Sequence, residues 1–341
     1  MTRTAKRRFS REVQSTVDGI AFGPTGPVLV HEYDPPAGGM WLDDVIPGKL
    51  AALDRGTGEV VWSSPCEVGY GRGFGAGIGR EGDAIVLGPS SKGHVVARMS
   101  LADGELIGAG PIEAFDEALV FGDLCFCVTP RRIFAIAPTE MSEAWEYSRP
   151  GERYHHAARS GGKLFIVYTH GGTKKLGVLR LDAETGEFEA EVLPPRQPVV
   201  HGIAANADGV VLLTRDLSAA LPAEVAPQFM IELSKRPDRA TSDTLSLLAL
   251  PPNASVGDAP LWYEIVSTQP VDEIPEVSIT ADAGKLYLVK GALIEVRDTL
   301  TGRMLGDWAV PGLDESVAFL VSDGAGLLAE ETRVSMFEFP A

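Results

Sequence analysis

Cysteine is scarce: only Cys66, Cys125 and Cys127 occur in 341 residues. An odd, sparse set of thiols does not make the disulfide framework that staples small secreted domains. Cys125 and Cys127 share one face of an apolar run, because side chains at i and i+2 of a strand point the same way. No further ligand lies beside them in sequence, so they read as buried thiols rather than a metal pair. Long apolar runs are also absent, and without about 18 consecutive apolar residues no helix is expected to span a membrane. Positive charge is low: 30 Lys and Arg face 47 Asp and Glu, for a net charge of −17. Such a surface repels phosphate backbones, so nucleic acid is not an expected partner. No nucleophile elbow, HExxH helix, P-loop or CxxC pair is present, and no cofactor is expected.

The few basic residues gather at the start: Arg3, Lys6, Arg7, Arg8 and Arg11. Arg7-Arg8-Phe9 faintly suggests a twin-arginine signal, but Glu12, Gln14 and Asp18 follow where an apolar segment belongs. The expected location is therefore cytoplasmic.

What is abundant is glycine and proline, 38 and 24 residues, in a chain that is 45% hydrophobic. That mixture describes many short strands joined by tight turns. The length suits one large all-β domain. A unit recurs along the chain. Its clearest copy is Ala52-x-Asp54-x-x-Thr57-Gly58-x-x-x-Trp62, a strand, a tight turn and a returning strand. Here the glycine takes positive φ and the Asp and Thr satisfy turn amides. Weaker copies are Ser100 to Glu105, Ala135 to Trp145, Asp182 to Glu187 and Asp298 to Arg303, with turn glycines at 58, 104, 186 and 302. Apart from one insertion the spacing is one or two units of about 40–45 residues, the period of a propeller blade.

These residues resemble the pyrroloquinoline-quinone-like propeller repeat, Ala-x-Asp-x-x-Thr-Gly-x-x-x-Trp, complete at Ala52–Trp62 and partial elsewhere. In that family the Trp docks one blade on its neighbour. The resemblance implies the same for Trp62 and Trp145; Ala190 and Gly306 stand in that slot elsewhere, with Trp308 a substitute two residues away. Quinone-dependent dehydrogenases share the repeat, but they are longer, eight-bladed and exported, and carry adjacent cysteines. Here Phe126 separates Cys125 and Cys127, so a quinone enzyme is not expected.

The apolar runs lay out as an all-β, seven-bladed β-propeller of four-stranded antiparallel blades occupying 1–341 as one domain, with six or eight blades as alternative counts. The blades fall at about 19–63, 74–109, 116–148, 154–193, 199–267, 276–309 and 315–339. The last run lacks an outer strand. Residues 9–16 are spare and are expected to pair with 333–339, closing the ring.

Strand order puts the b-to-c and d-to-a loops of every blade on one face. The long connections all belong to that set: 34–48, 65–73, 216–243 and 267–275. Long loops in a compact domain are often functional, so this is the expected binding face. Its candidate residues are Met40, Trp41, Tyr70, Arg72, Arg153, His156, His201, Phe229 and Met230. A short helix over 223–234 is possible there, with Phe229 and Met230 packed either down on the blades or toward a partner. His155, His156, His201 and Glu276 lie near the inner-strand starts, but strand alternation sends His155 and His156 to opposite faces. The functional expectation is a non-enzymatic protein-interaction scaffold within a larger complex, itself monomeric. The alternative is a metal-assisted hydrolase, a lactonase, or a small-ligand-binding propeller using the central channel, with Glu276 and Glu315 as an incomplete carboxylate set.

Overall fold

The computed structural model describes residues 2–35, 46–71, 73–172, 175–192, 199–215, 245–254, 258–267, 277–313 and 316–339. It is a seven-bladed β-propeller, and no α-helix occurs among the described residues. The contacts divide the chain into two units, Thr4–Tyr147 with Val310–Ala341, and Met1–Arg3 with Ser148–Ala309.

The first unit holds blades 7, 1, 2 and 3. Blade 1 is β3 (Thr16–Ala21), β4 (Val28–Tyr33), β5 (Ile46–Leu53) and β6 (Val60–Tyr70). Blade 2 is β7 (Gly75–Ile78), β8 (Asp83–Ser90), β9 (Gly93–Ser100) and β10 (Leu106–Ile112). Blade 3 is β11 (Glu117–Phe121), β12 (Leu124–Val128), β13 (Ile133–Ala137) and β14 (Ser142–Tyr147). Blade 7 has β27 (Ser316–Ser322), β28 (Ala325–Glu330) and β29 (Arg333–Glu338), and its outer strand is β2 (Lys6–Glu12) from the start of the chain.

The second unit holds blades 4 to 6. Blade 4 is β15 (Glu152–Ser160), β16 (Lys163–His170), β17 (Lys175–Asp182) and β18 (Phe188–Val192). Blade 5 is β19 (Val199–Asn206), β20 (Gly209–Arg215), β21 (Leu245–Leu250) and β22 (Trp262–Ser267). Blade 6 is β23 (Val277–Asp282), β24 (Lys285–Lys290), β25 (Leu293–Asp298) and β26 (Met304–Ala309), with the short β1 (Arg3–Thr4) bordering β26.

The middle strands of each blade read as unbroken apolar runs because both of their faces are covered. β8 and β12 are buried along almost their whole length, whereas the outer strand β14 is largely exposed. Each core cluster draws on two successive blades: one joins β4, β5 and β6 to β8 and β9, and another joins β16 and β17 to β20 and β21. The thiols sit in these cores. Cys66, Cys125 and Cys127 are free and buried.

The N-terminal strand pairs where expected but three residues early, over 6–12 instead of 9–16. Lys6 faces Glu338 and Glu12 faces Arg333. The shift follows from Phe9, whose ring must reach Gly58: a Cβ there would lie 2.5 Å from it. Every basic residue of the segment has a structural contact: Arg7 lies over Phe337, Lys6 and Arg8 pair with Glu338, Arg11 donates to the Gly58 carbonyl, and Arg3 lies over Trp308. Val13 then bonds to Thr332, and β3 starts at Thr16 rather than at 19.

Two blades are fastened to the next by a Trp at one slot of the outer strand. In the first unit, Trp62 donates its Nε1–H to the Leu101 carbonyl of blade 2 at 2.8 Å. In the second, Trp262 does the same to Thr299 of blade 6 at 2.8 Å. Each indole lies against the glycine of the neighbouring turn, Gly104 or Gly302, where no Cβ fits and φ is +75° or +69°. Just before the slot, the outer strand carries one extra residue: Val61, Ile107, Ala144, Glu189, Leu305 and, in β2, Arg8. A bulge at an edge strand twists it and discourages pairing with another chain.

Candidate interaction surface

Within a blade, the starts of strands a and c and the ends of b and d lie together, next to the b-to-c and d-to-a connections. At that end of blade 1, Tyr33 on β4 and Tyr70 on β6 stack with ring centroids 4.3 Å apart. Tyr33 is buried and Tyr70 is 37% exposed, so Tyr70 is the member of the pair that reaches solvent. Burial raises the Tyr33 phenol pKa, and Tyr70, Asp18 and Glu331 add to it. Beside them, Asp34 accepts from the Ser15 hydroxyl at 2.6 Å and pairs with Lys49 at 3.1 Å, contacts that hold its carboxyl below the usual range. Glu32 goes the other way, raised chiefly by burial. Beneath, His31 is enclosed: Nδ1 meets Asp18 at 3.2 Å, Nε2 meets the Val68 carbonyl at 3.0 Å, and Phe74 stacks on the ring. It is a packed, satisfied core histidine.

The inner strands supply the other candidates through bulges. On β3 the register slips around Asp18, on β15 between Tyr154 and Ala157, and on β19 around His201. The expectation that His155 and His156 face opposite ways rested on strict alternation. A bulge falls at those two residues. His155 bonds through Nε2 to the Thr169 hydroxyl at 2.8 Å, and its pKa is lowered by burial first and then by His156 and Arg153. Arg153, His155 and His201 are exposed, and His156 is half-buried. β15 and β19 belong to consecutive blades, so these four residues occupy corresponding positions near the starts of neighbouring inner strands. Bulges re-aim side chains and recur beside functional sites.

Met40, Trp41, Arg72, Phe229, Met230, Glu276, Glu315 and the segment 223–234 lie outside the described residues. Among the described residues no cluster of three or more His, Cys, Asp or Glu is placed to hold a metal ion. No described helix is long and apolar enough to cross a membrane.

Sequence reading missed Asp18, Tyr33 and the network on blade 4, where the Tyr168 hydroxyl donates to Glu191 at 2.6 Å and Arg149 donates to the same carboxylate at 3.0 Å. No motif marks them. The usable signal was position alone, because Tyr33 and Tyr168 both fall near the ends of b strands.

The blades and their repeat define the class, a seven-bladed propeller. A solved structure agrees on that fold. The Pan2 WD40 domain of Neurospora crassa aligns with a TM-score of 0.59 at 12% identity, covering 100% of this chain and 97% of that one. BamB from Moraxella catarrhalis aligns with a TM-score of 0.48 at 12% identity, covering 97% and 98%. No protein-family model and no curated protein matches the sequence.

Proposed function

We propose that this protein is a protein-interaction scaffold of the pyrroloquinoline-quinone-like repeat type, acting without catalysis as a cytoplasmic subunit of a larger complex. The partner binds at the blade ends that carry the b-to-c and d-to-a connections. One observation carries the reading: the two ends of the blades are used differently. At the c-to-d end, Gly104 and Gly302 are occupied by Trp62 and Trp262 in holding the next blade. At the other end, Tyr70, Arg153, His155 and His201 are exposed, on bulges or at strand ends. Aromatic rings, Arg and His on a rigid scaffold are the chemistry of protein contact sites. The net charge of −17 favours a partner with a basic surface and disfavours nucleic acid.

The test is affinity purification from the host with three baits: wild type, Tyr70→Ala/Arg153→Glu/His201→Ala, and Glu59→Ala/Glu105→Ala at the opposite blade end. A specific partner should be retained by wild type and the Glu59/Glu105 variant and lost from the triple variant. Retention by all three would overturn the choice of face, and no stoichiometric partner with any bait would overturn the scaffold role.

A further inference from the structure

Among the described residues six blades are four-stranded sheets, and blade 6 has a fifth strand, β1, along its outer strand β26. An outer strand is a sheet edge, and an unguarded edge invites another chain to pair with it. Most edges here carry a guard beyond a single bulge. β6 has Pro65 and β10 has Pro111, neither of which can donate an N–H. β14 carries Glu143 and Glu146, β18 carries Glu189 and Glu191, and β2 carries Lys6, Arg7, Arg8 and Arg11. β22 and β26 have one bulge and one acidic residue each. Of these two, β22 is half-buried along its whole length, whereas β26 opens on the exposed Met304 and Leu305.

The bulge of β26 lies at Leu305, and beyond it Gly306 to Ala309 keep a regular register against Val296 to Leu293. That regular stretch is the part of the edge that β1 and Thr2 cover. The Thr2 hydroxyl donates to the Asp307 carboxylate at 2.5 Å, and Arg3 lies over the Trp308 ring, 5.6 Å from its centre. The cover is slight. β1 is two residues long against a six-residue edge, and Thr2, Arg3 and Thr4 are all exposed. A short exposed segment with few buried contacts opens at little cost.

We propose that the outer edge of blade 6 is a strand-accepting site guarded by residues 2–4, and that an extended segment of a partner chain, with an Arg or Lys at its centre, takes their place. β1 itself shows that this edge accepts a strand. A longer strand would pair along all of Met304–Ala309 and cover Met304 and Leu305, which β1 leaves exposed. In this mode main-chain hydrogen bonds supply affinity and side chains choose the partner. Charge selects the occupant. Asp307 is the one charged residue of the edge, the chain carries −17, and Trp308 offers an incoming cation the seat that Arg3 leaves. A second copy of the chain would instead bring another Asp307 and another −17 against this edge. The site lies on an outer strand, apart from the blade ends of the proposed contact face.

The probe is the peptide acetyl-Val-Thr-Arg-Thr-Val-Thr-amide, built on the guard's own Thr-Arg-Thr. It is titrated by calorimetry into the full chain and into a variant lacking residues 2–4. The variant should bind it saturably and at least about fivefold more tightly than wild type, whose own segment competes. The same peptide with Glu for Arg should bind the variant at least about fivefold more weakly. Hydrogen exchange should show the bound peptide protecting β26 and no other outer strand. Thr2→Gly/Arg3→Gly keeps the chain length, removes both contacts and should show the same gain; it decides the matter if the shortened chain does not fold. No saturable binding to either variant, equal affinity of variant and wild type, indifference to the Arg, or protection elsewhere would overturn the proposal. So would dimerisation of the shortened chain without peptide, seen by sedimentation, since that would assign the edge to a second copy. The probe needs no host partner, and β26 carries none of the residues changed in the triple variant, so failure here leaves the blade-end reading standing.

Discussion

Trp262 and Thr299 are joined across the seam of blades 5 and 6 by an indole N–H to carbonyl hydrogen bond of 2.8 Å, with the ring seated on Gly302. Removing the ring leaves a cavity and an unpaired carbonyl together. Because Trp262 is half-buried, Trp262→Ala should cost about 3 kcal/mol, the lower end of the range for a large aromatic. Trp262→Phe keeps most of the contact and loses the donor, at a cost of about 1–3 kcal/mol. Urea denaturation should rank the variants in that order. Equal losses would mean that the ring itself contributes little.

Phe9 holds the first strand in blade 7 by the same device, with Gly58 as its seat. Phe9→Ala should cost about 3–5 kcal/mol and raise amide exchange along both β2 and β29. Glu338→Gln, which removes the partner of the exposed Lys6 and Arg8, should have a far smaller effect, since exposed ion pairs are screened. Hydrogen exchange of the two variants separates a strand held by its aromatic anchor from one held by charge.

The repeat made the blades legible. Asp54, Thr57 and Gly58 mark a turn by chemistry that survives in Asp182 and Asp298, and the apolar runs of the middle strands need no alternation to be recognised. Trp262 was not legible, because Pro251 stands where the repeat has Asp and Trp262 lies three residues further from Ala249 than the repeat spacing, so only register shows it facing Ala249. The position of β2 was three residues off because a strand's ends are set by what its side chains dock against, here Gly58. The bulges at His155–His156 and at His201 leave no mark in composition. Arg180 was hidden for a different reason: it faces Ala190 across β17 and β18, the reverse of Ala52 facing Trp62, and such a pair reads as two unrelated residues until the strands are laid side by side.

The thiols give a reactivity prediction. Burial pushes Cys66 up to about 11 and raises Cys125 and Cys127 as well, Cys125 further through Cys127 and Asp83. The thiolate is the reactive form, so none should react with a disulfide reagent in the native protein at pH 8, and all three should react once it is unfolded. The time course of absorbance with and without denaturant reads this directly. One rapid equivalent in the native protein would contradict the enclosed position of that thiol.

The repeat turns predict how the protein meets acid. Asp54 accepts from the Thr57 amide and hydroxyl and from the Gly56 amide, and Asp298 accepts from the Thr301 hydroxyl and amide. These bonds favour the charged carboxylate and lower both pKa values below the ordinary 3.8. A group whose folded pKa is depressed contributes stability that is present above its unfolded pKa and disappears as the pH falls through the folded value. Asp54→Asn/Asp298→Asn should therefore be less stable than wild type at pH 7. The gap should begin to close near pH 4 and vanish below the folded pKa values, where wild type is protonated too. Urea midpoints at pH 7, 4 and 2.5 measure it. A gap of constant size across the series would show that the asparagines disturb the turn geometry rather than remove a charge.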